Sequence, residues 1–244
     1  AGGVALNEIT GGDRISEDID LFHDTSVAVA DSFAADSRLL AGNGFSLNTK
    51  REQPGFVEAV VQKDNDGTTL QWTSDSAFRF FPLVEHSDFG LTLHPVDLAT
   101  NKVLALVGRL EPRDWVDVIG SHIKIQRLGF LAWAASGKDP AFSPSSILAQ
   151  SKRSARYTNE ELTELEFGGP PPDAAQLAHQ WRDMLAEAEE IISLLPPFEC
   201  GKCVLTQSGK LYSGSVTELR AILGENGLVF HKGRIRGAFP KFSA

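Results

Sequence analysis

The chain has 244 residues, 42% of them apolar, with four Trp and 15 Phe, so it can bury a substantial core in one large or two small domains and is not a disordered protein. No apolar run approaches the length of a membrane span and no leader-like segment precedes a cleavage site; with only two cysteines, cytoplasmic residence is the default expectation, and no membrane partner is expected. The net charge of −9 excludes indiscriminate binding of nucleic acid by the surface as a whole, leaving room only for a local basic face.

The first 22 residues carry the densest chemistry. Gly2 and Gly3 open a short apolar helix to about Ile9, a polar Gly-Gly-Asp-Arg loop follows, and Asp18 and Asp20 then sit in the apolar context Ile19-Leu21-Phe22. Residues two apart on a strand share a face, so Asp18 and Asp20 present two carboxylates together while Ile19 and Leu21 turn to the core. Like charges that close are costly without a cation between them, and a hard oxygen pair suits Mg²⁺, which completes its shell with water and substrate phosphates. Glycines at a helix start let a phosphate reach the free N–H groups there. The economical reading is metal plus triphosphate; the bland one is a solvated Asp-x-Asp on a surface edge. The chain does not begin with Met, and further residues are expected to precede the glycines.

Residues 27–44 read as a helix with a glycine stop, through Val27, Val29, Ala30, Phe33, Leu39, Leu40 and Gly42-Asn43-Gly44. Phe45 to Thr49, Val57 to Gln62 and Thr68 to Thr73 read as strands, the last two separated by an Asp64-Asn65-Asp66-Gly67 turn. Along the third strand, Leu70, Trp72 and Ser74 share one face, and Gln71, Thr73 and Asp75 the other. Together these predict a small mixed sheet with helices on one face.

His94-Pro95-Val96-Asp97 introduces a helix with an apolar stripe of Leu98, Val103, Leu106 and Val107, and Lys102 and Arg109 lie seven apart, on one face. Pro112 breaks it, and Arg113-Asp114-Trp115-Val116-Asp117-Val118 opens the next helix. Asp114 and Asp117 are surface neighbours there: one is expected to pair with Arg109 or Arg113 and the other, Asp117 by preference, to face the site.

Beyond about residue 120 the pattern is mainly helical. Residues 122–136 are apolar and aromatic, 144–156 form a helix ending in Lys152, Arg153 and Arg156, and Gly168 to Pro172 make a stiff corner. Asp173 caps a long helix to about Leu195, followed by an expected hairpin over Val204–Tyr212 and a short helix near Val216–Leu223. Cys200 and Cys203 are spaced as in a zinc knuckle or redox pair, but nothing completes a site, and a turn with two reduced thiols is the plainer reading. From Val229 to Ala244 the chain holds His231, Lys232, Arg234, Arg236 and Lys241 and no acid: a solvated basic tail, or a phosphate-tracking arm.

The order Gly2-Gly3-x-Ala5-Leu6, then Arg14-x-Ser16-x-Asp18-x-Asp20-Leu21-Phe22, resembles the first motif of the DNA polymerase β-like nucleotidyltransferase superfamily, in its AbiEii/AbiGii toxin branch. Lys102, Ala105, Leu106 and Arg109, then Arg113, Asp114 and Asp117, look like later motifs of the same family. One departure is Val4, where the family often carries Ser or Thr, leaving only backbone donors for phosphate at that point. The resemblance covers roughly residues 1–120. It implies an α+β fold with a polymerase β-like core over 1–120 and a mainly helical region over 121–244 with a small hairpin and the basic tail. It further implies that Asp18, Asp20 and Asp75 hold two Mg²⁺ ions (or Mn²⁺), with Lys102 and Asp117 also catalytic. Gly2, Gly3, Arg14, Ser16, Lys102, Arg109 and Asp114 are the implied nucleotide-binding residues. The implied activity moves NMP from an NTP to an RNA such as a tRNA 3′ end, or to a protein hydroxyl, in a toxin restrained by an antitoxin protein. Two alternatives use the same residues: phosphotransfer from the γ-position, and a catalytically silent module that binds a nucleotide or partner.

Overall fold

A computed structural model describes residues 2–154 and 156–241. The chain begins with α1 (Gly2–Thr10), β1 (Asp18–His23), α2 (Ser26–Gly42), β2 (Ser46–Gln53), β3 (Phe56–Lys63) and β4 (Asp66–Ser74). Short strands β5 (Phe78–Arg79), β6 (Val84–His86) and β7 (Gly90–Thr92) lead to α3 (Pro95–Arg109) and α4 (Pro112–Lys124). The remainder comprises α5 (Leu128–Ala135), α6 (Pro144–Ser151), α7 (Asn159–Thr163), α8 (Ala174–Leu194), β8 (Cys203–Thr206), α9 (Val216–Gly224), β9 (Leu228–His231) and β10 (Arg234–Ile235). The protein is thus mixed α+β, 46% helix and 22% strand, with a small mixed sheet and flanking helices.

The main sheet runs β1-β4-β3-β2, with β1 parallel to β4 and the other pairs antiparallel. Its alternation divides the strand residues cleanly. Leu21, Val57, Ala59, Leu70 and Trp72 pack under Val29 and Phe33 of α2. Trp72 is fully buried yet spends its indole N–H on the Asp36 carboxylate at 2.7 Å, and its ring meets Phe33 edge-on at 5.1 Å. The opposite face carries Asp18, Asp20 and Phe22 on β1, Gln71 and Thr73 on β4, and Phe56 and Glu58 on β3, by the register that pairs Asp20 with Gln71 and Gln71 with Glu58.

Helix α1 lies by that second face because Ala5 and Leu6 are buried against Leu98 of α3. The other side of α3, through Val96, Ala99, Val103, Leu106 and Val107, enters the principal core with Trp115, Leu128, Leu131, Trp181 and Cys203. A second cluster joins α5, α8, α9 and β8 around Phe130, Trp133, Ile191 and Val204.

Four details differ from the sequence pattern. Helix α3 ends on Leu110, whose left-handed φ of 55° turns the chain, and Pro112 instead occupies the first turn of α4, where a missing N–H costs nothing. The 122–136 segment splits, since α4 runs to Lys124 and α5 starts at Leu128. The tight turn after β8 exists, with the Tyr212 N–H donating to Val204 O, but the principal partner of β8 is β9, about two dozen residues on. Residues 231–241 are docked through β10, not loose. Both cysteines are reduced; Cys200 is exposed, and burial drives the Cys203 thiol pKa far upward, so it is inert.

Candidate active site

A cleft of about 440 Å³ opens between the uncovered sheet face and α3. From the sheet it is lined by Asp20 and Phe22, Gln71 and Thr73, Asp75 and Phe56. From α3 it is lined by Leu98, Asn101, Lys102, Ala105, Gly108 and Arg109, one helical face at spacings of three and four. Gly2 closes one end. A larger cleft, between α2 and the β2–β3 turn, is largely apolar and gathers none of the sequence-marked residues.

The two glycines are required by close approach. Gly2 has a left-handed φ of 73°, and a Cβ there would collide with the Asp20 carboxylate. A Cβ on Gly3 would stand 2.7 Å from the Arg14 guanidinium and 2.8 Å from Ser16 Oγ. The start of α1 is therefore pressed onto the Asp-x-Asp strand, and Ser16 donates to Asp18 O at 3.3 Å to shape the turn into that strand.

Asp18 and Asp20 are half-buried. Burial raises the Asp20 pKa, and the neighbouring Asp18 charge adds to this, while Lys102 and Arg113 pull the other way. Arg113 approaches Asp18 at 3.7 Å and is held from behind by Glu111 at 2.6 Å. Asp75 follows β4 directly, its N–H bonded to His23 O at 3.0 Å and its carboxylate accepting from the Ser76 N–H at 2.7 Å. It lines the same cleft as Asp20, but it stands four residues beyond Gln71, the residue opposite Asp20. At roughly 3.3 Å per residue that is on the order of 13 Å along the strand. Among the described residues no group of three or more His, Cys, Asp or Glu side chains is placed to hold a metal. The donor set on β1 accordingly fits a Mg²⁺ that takes one or two carboxylates and draws its other ligands from phosphate and water, not an all-protein cage.

Behind the cleft wall lies an ion-pair network, in which Asp114 takes Arg109 as the sequence spacing leads one to expect, and the remaining links are not visible from spacing. Arg14, buried, grips Asp117 with Nε and Nη2, both at 2.8 Å. Arg109 grips Asp114 in the same forked way, at 2.6 and 2.9 Å. Lys102 Nζ sits between them, 3.0 Å from Asp114 and 3.1 Å from Asp117. For Asp114, burial alone would raise the pKa, but the bonds from Arg109 and Lys102 outweigh it and hold the carboxyl below its ordinary value. Glu111, 3.4 Å from Arg109, completes the set, so three cations face three carboxylates, with Lys102 and Arg109 on the cleft side.

This changes what several of the marked residues do. Asp114 and Asp117 are 0% and 3% exposed and do not line the cleft, because α4 turns both toward α3 and the loop before β1. Neither faces the cleft; each holds Lys102. Arg14 is spent on Asp117, and Arg113 reaches Asp18 instead of pairing with Asp114 or Asp117. Lys102, Arg109, Asp20, Asp75 and Gly2 do share the cleft. The alternation that picks Asp20 also marks Phe22, and Phe56 and Glu58 are linked to it through Thr73 and Gln71, whose amide donates to Glu58 at 3.2 Å. Asn101, one residue before Lys102, fixes its Oδ1 by accepting from Lys138 Nζ at 2.7 Å, leaving its amide nitrogen for the cleft.

No protein-family model matches the chain, and no curated protein matches it in sequence.

Proposed function

We propose that the chain is a Mg²⁺-dependent nucleotidyltransferase with a polymerase β-like core, moving NMP from an NTP to a hydroxyl of an RNA 3′ end or of a protein. The observation that supports this most is the placement of Lys102 and Arg109 on one wall of a cleft whose other wall carries Asp20, with Gly2 packed against that carboxylate. A triphosphate needs a cation at its reacting end and positive charge at its outer end, and the cleft offers both poles.

Asp18 and Asp20 would hold the Mg²⁺, which when bound neutralises phosphate oxygens and orients them for in-line attack. Lys102, steadied by Asp114 and Asp117, takes the outer phosphates, and Arg109 adds charge beside it. The backbone N–H groups at the start of α1 would be available to a phosphate approaching beside Asp20, with the helix dipole behind them. The acceptor oxygen forms a bond to the α-phosphorus as the bond to the bridging oxygen breaks, and pyrophosphate leaves toward Lys102. The hydroxyl proton is lost to solvent, since Asp75 stands too far along the cleft wall from Asp20 to take it. Restraint of such an activity by an antitoxin protein belongs to the same reading.

A second reading is attack at the γ-phosphorus. The uncharged Gln71 opposite Asp20 favours it, since a single Mg²⁺ on two carboxylates suffices for phosphotransfer. The experiment is incubation with each NTP labelled in the α-phosphate, Mg²⁺ and total tRNA, beside an Asp20→Ala control. Label on RNA or protein with the parent alone supports nucleotidyl transfer; a folded protein that transfers no label from any NTP refutes it.

A further inference from the structure

The segment Lys232–Lys241 lies outside the cleft, yet it is the most basic stretch of an acidic chain. From Val229 to Ala244 there is no Asp or Glu, in a protein of net charge −9. This stretch is held in place. Arg234 pairs with Arg79 and Ile235 with Phe78 in an antiparallel ladder, the Arg236 N–H donates to Ala77 O at 2.7 Å, and the Ala238 N–H donates to Phe80 O at 3.1 Å. Gly233 packs so that a Cβ would stand 2.6 Å from the Phe78 ring, and a Cβ on Gly237 would collide with Phe81 O. Arg236, with a left-handed φ of 63°, is a non-glycine residue in a strained conformation that this docking maintains.

Its location ties it to the cleft. Residues 77–80, on which it docks, follow Asp75 after the single residue Ser76, and the Asp75 N–H is bonded to the last residue of β1. Arg236 and Arg79 both reach Asp24, the next residue, at 3.5 and 3.0 Å. Among the described residues Asp24 is the only acid that pairs with the segment; Lys232, Arg234 and Lys241 are exposed and form no ion pair. Between them Ile235 and Phe239 stand 64% and 78% exposed. Cations interleaved with bare apolar and aromatic side chains suit a single strand, whose phosphates meet the cations and whose bases stack on the rings.

We propose that residues 232–241 form a docked rail for the backbone of a single-stranded nucleic acid, leading its end past Asp75 into the cleft. The delivery role rests on the nucleotidyl-transfer reading; the binding does not. The test is fluorescence anisotropy of the whole protein with a labelled single-stranded RNA of about twelve nucleotides, over a salt series. The parent is compared with Lys232→Gln/Arg234→Gln/Lys241→Gln, with Phe239→Ala, and with Arg38→Gln/Lys50→Gln, which removes exposed cations from α2 and β2. The rail predicts at least a tenfold loss of affinity for the triple variant and a salt slope shallower by about 0.7 per cation removed. It also predicts a smaller loss for Phe239→Ala and parent behaviour for the α2/β2 variant. Unchanged affinity and slope in the triple variant overturn it, as does an equal loss in the α2/β2 variant. Binding of phosphatidylserine vesicles or poly-glutamate as tight as RNA, lost in the same triple variant, overturns it in favour of a membrane or an acidic protein. A Mg²⁺–NTP thermal shift measured on the same samples separates the readings: no shift with intact RNA binding defeats nucleotidyl transfer and leaves the rail standing.

Discussion

Removing Lys102 and removing Arg14 should have opposite consequences, although both touch Asp117. In Lys102→Met each buried carboxylate keeps its arginine fork, Asp114 from Arg109 and Asp117 from Arg14, with donor distances of 2.6–2.9 Å. The loss is one lysine shared between two already partnered acids, about 1–2 kcal/mol, softened by the apolar stem that Met retains. In Arg14→Met, Asp117 is left fully buried with Lys102 as its only remaining side-chain partner among the described residues, which costs on the order of 3–5 kcal/mol. At roughly 2–4 °C per kcal/mol for a chain of this size, melting should fall by about 2–8 °C for Lys102→Met and about 6–20 °C for Arg14→Met. Activity should rank the other way. Lys102→Met removes the cation that faces the triphosphate and should lower turnover by at least about a hundredfold. Below its melting point Arg14→Met should retain more activity than that, because Lys102 stays in the cleft. Thermal unfolding by circular dichroism beside initial rates checks both orders. A Lys102→Met protein less stable than Arg14→Met would refute the division between gripping arginines and a working lysine.

Three further outcomes follow from the geometry. Gly2→Ala should unfold only slightly earlier, by about 1–2 kcal/mol of backbone strain, yet lose on the order of a hundredfold in rate because the new methyl displaces the Asp20 carboxylate; parent-like kinetics would show that α1 does not press on β1. Asp20→Asn should raise the melting temperature or leave it unchanged, since burial already disfavours the Asp20 charge, while abolishing any Mg²⁺-dependent thermal shift; a retained shift would place the ion elsewhere. His94 and His122 are held below the usual histidine pKa, in both cases first by burial, and each uses Nδ1 to accept a backbone N–H, from Val96 and Leu128. Above about pH 6.5 neither state is protonated, so there is no penalty; below it the unfolded chain takes a proton that the folded protein refuses. Stability should therefore fall with pH from about 6.5 down to the folded values, by up to about 1.4 kcal/mol per pH unit for each histidine. His94→Asn, which keeps a cap acceptor, combined with His122→Gln should flatten the profile between pH 7.5 and 5.5 as read by denaturant titration, and an unflattened profile would contradict the assignment.

The parts of the molecule that follow from local pattern were legible in the sequence. Alternation located three strands of the main sheet and the face shared by Asp18 and Asp20, and helical spacing put Lys102 and Arg109 together. The Asp173 cap, accepting from the Gln176 N–H at 2.8 Å, starts α8 where a capping residue should. What stayed hidden depends on which side of an element meets another. Spacing shows Asp114 and Asp117 as neighbours on α4 and offers Arg109 as a partner, which Asp114 takes; only the packing of α4 on α3 decides that both are buried and that Asp117 is gripped by Arg14, 103 residues away. The pairing of β8 with β9 and the docking of β10 on β5 are long-range contacts with no local signature beyond Gly233 and Gly237. The distance of Asp75 from Asp20 is set by sheet register, which a strand-by-strand reading cannot supply.

The most direct test of the central claim is one reaction run twice, with NTP labelled in the α-phosphate and then in the γ-phosphate, using the parent, Asp20→Asn and Lys102→Met with Mg²⁺ and an RNA acceptor. The cleft as described predicts transfer of the α-label alone, with labelled pyrophosphate released from the γ-labelled NTP and both signals lost in the two variants. Transfer of the γ-label, or α-label transfer that survives Asp20→Asn, would contradict it.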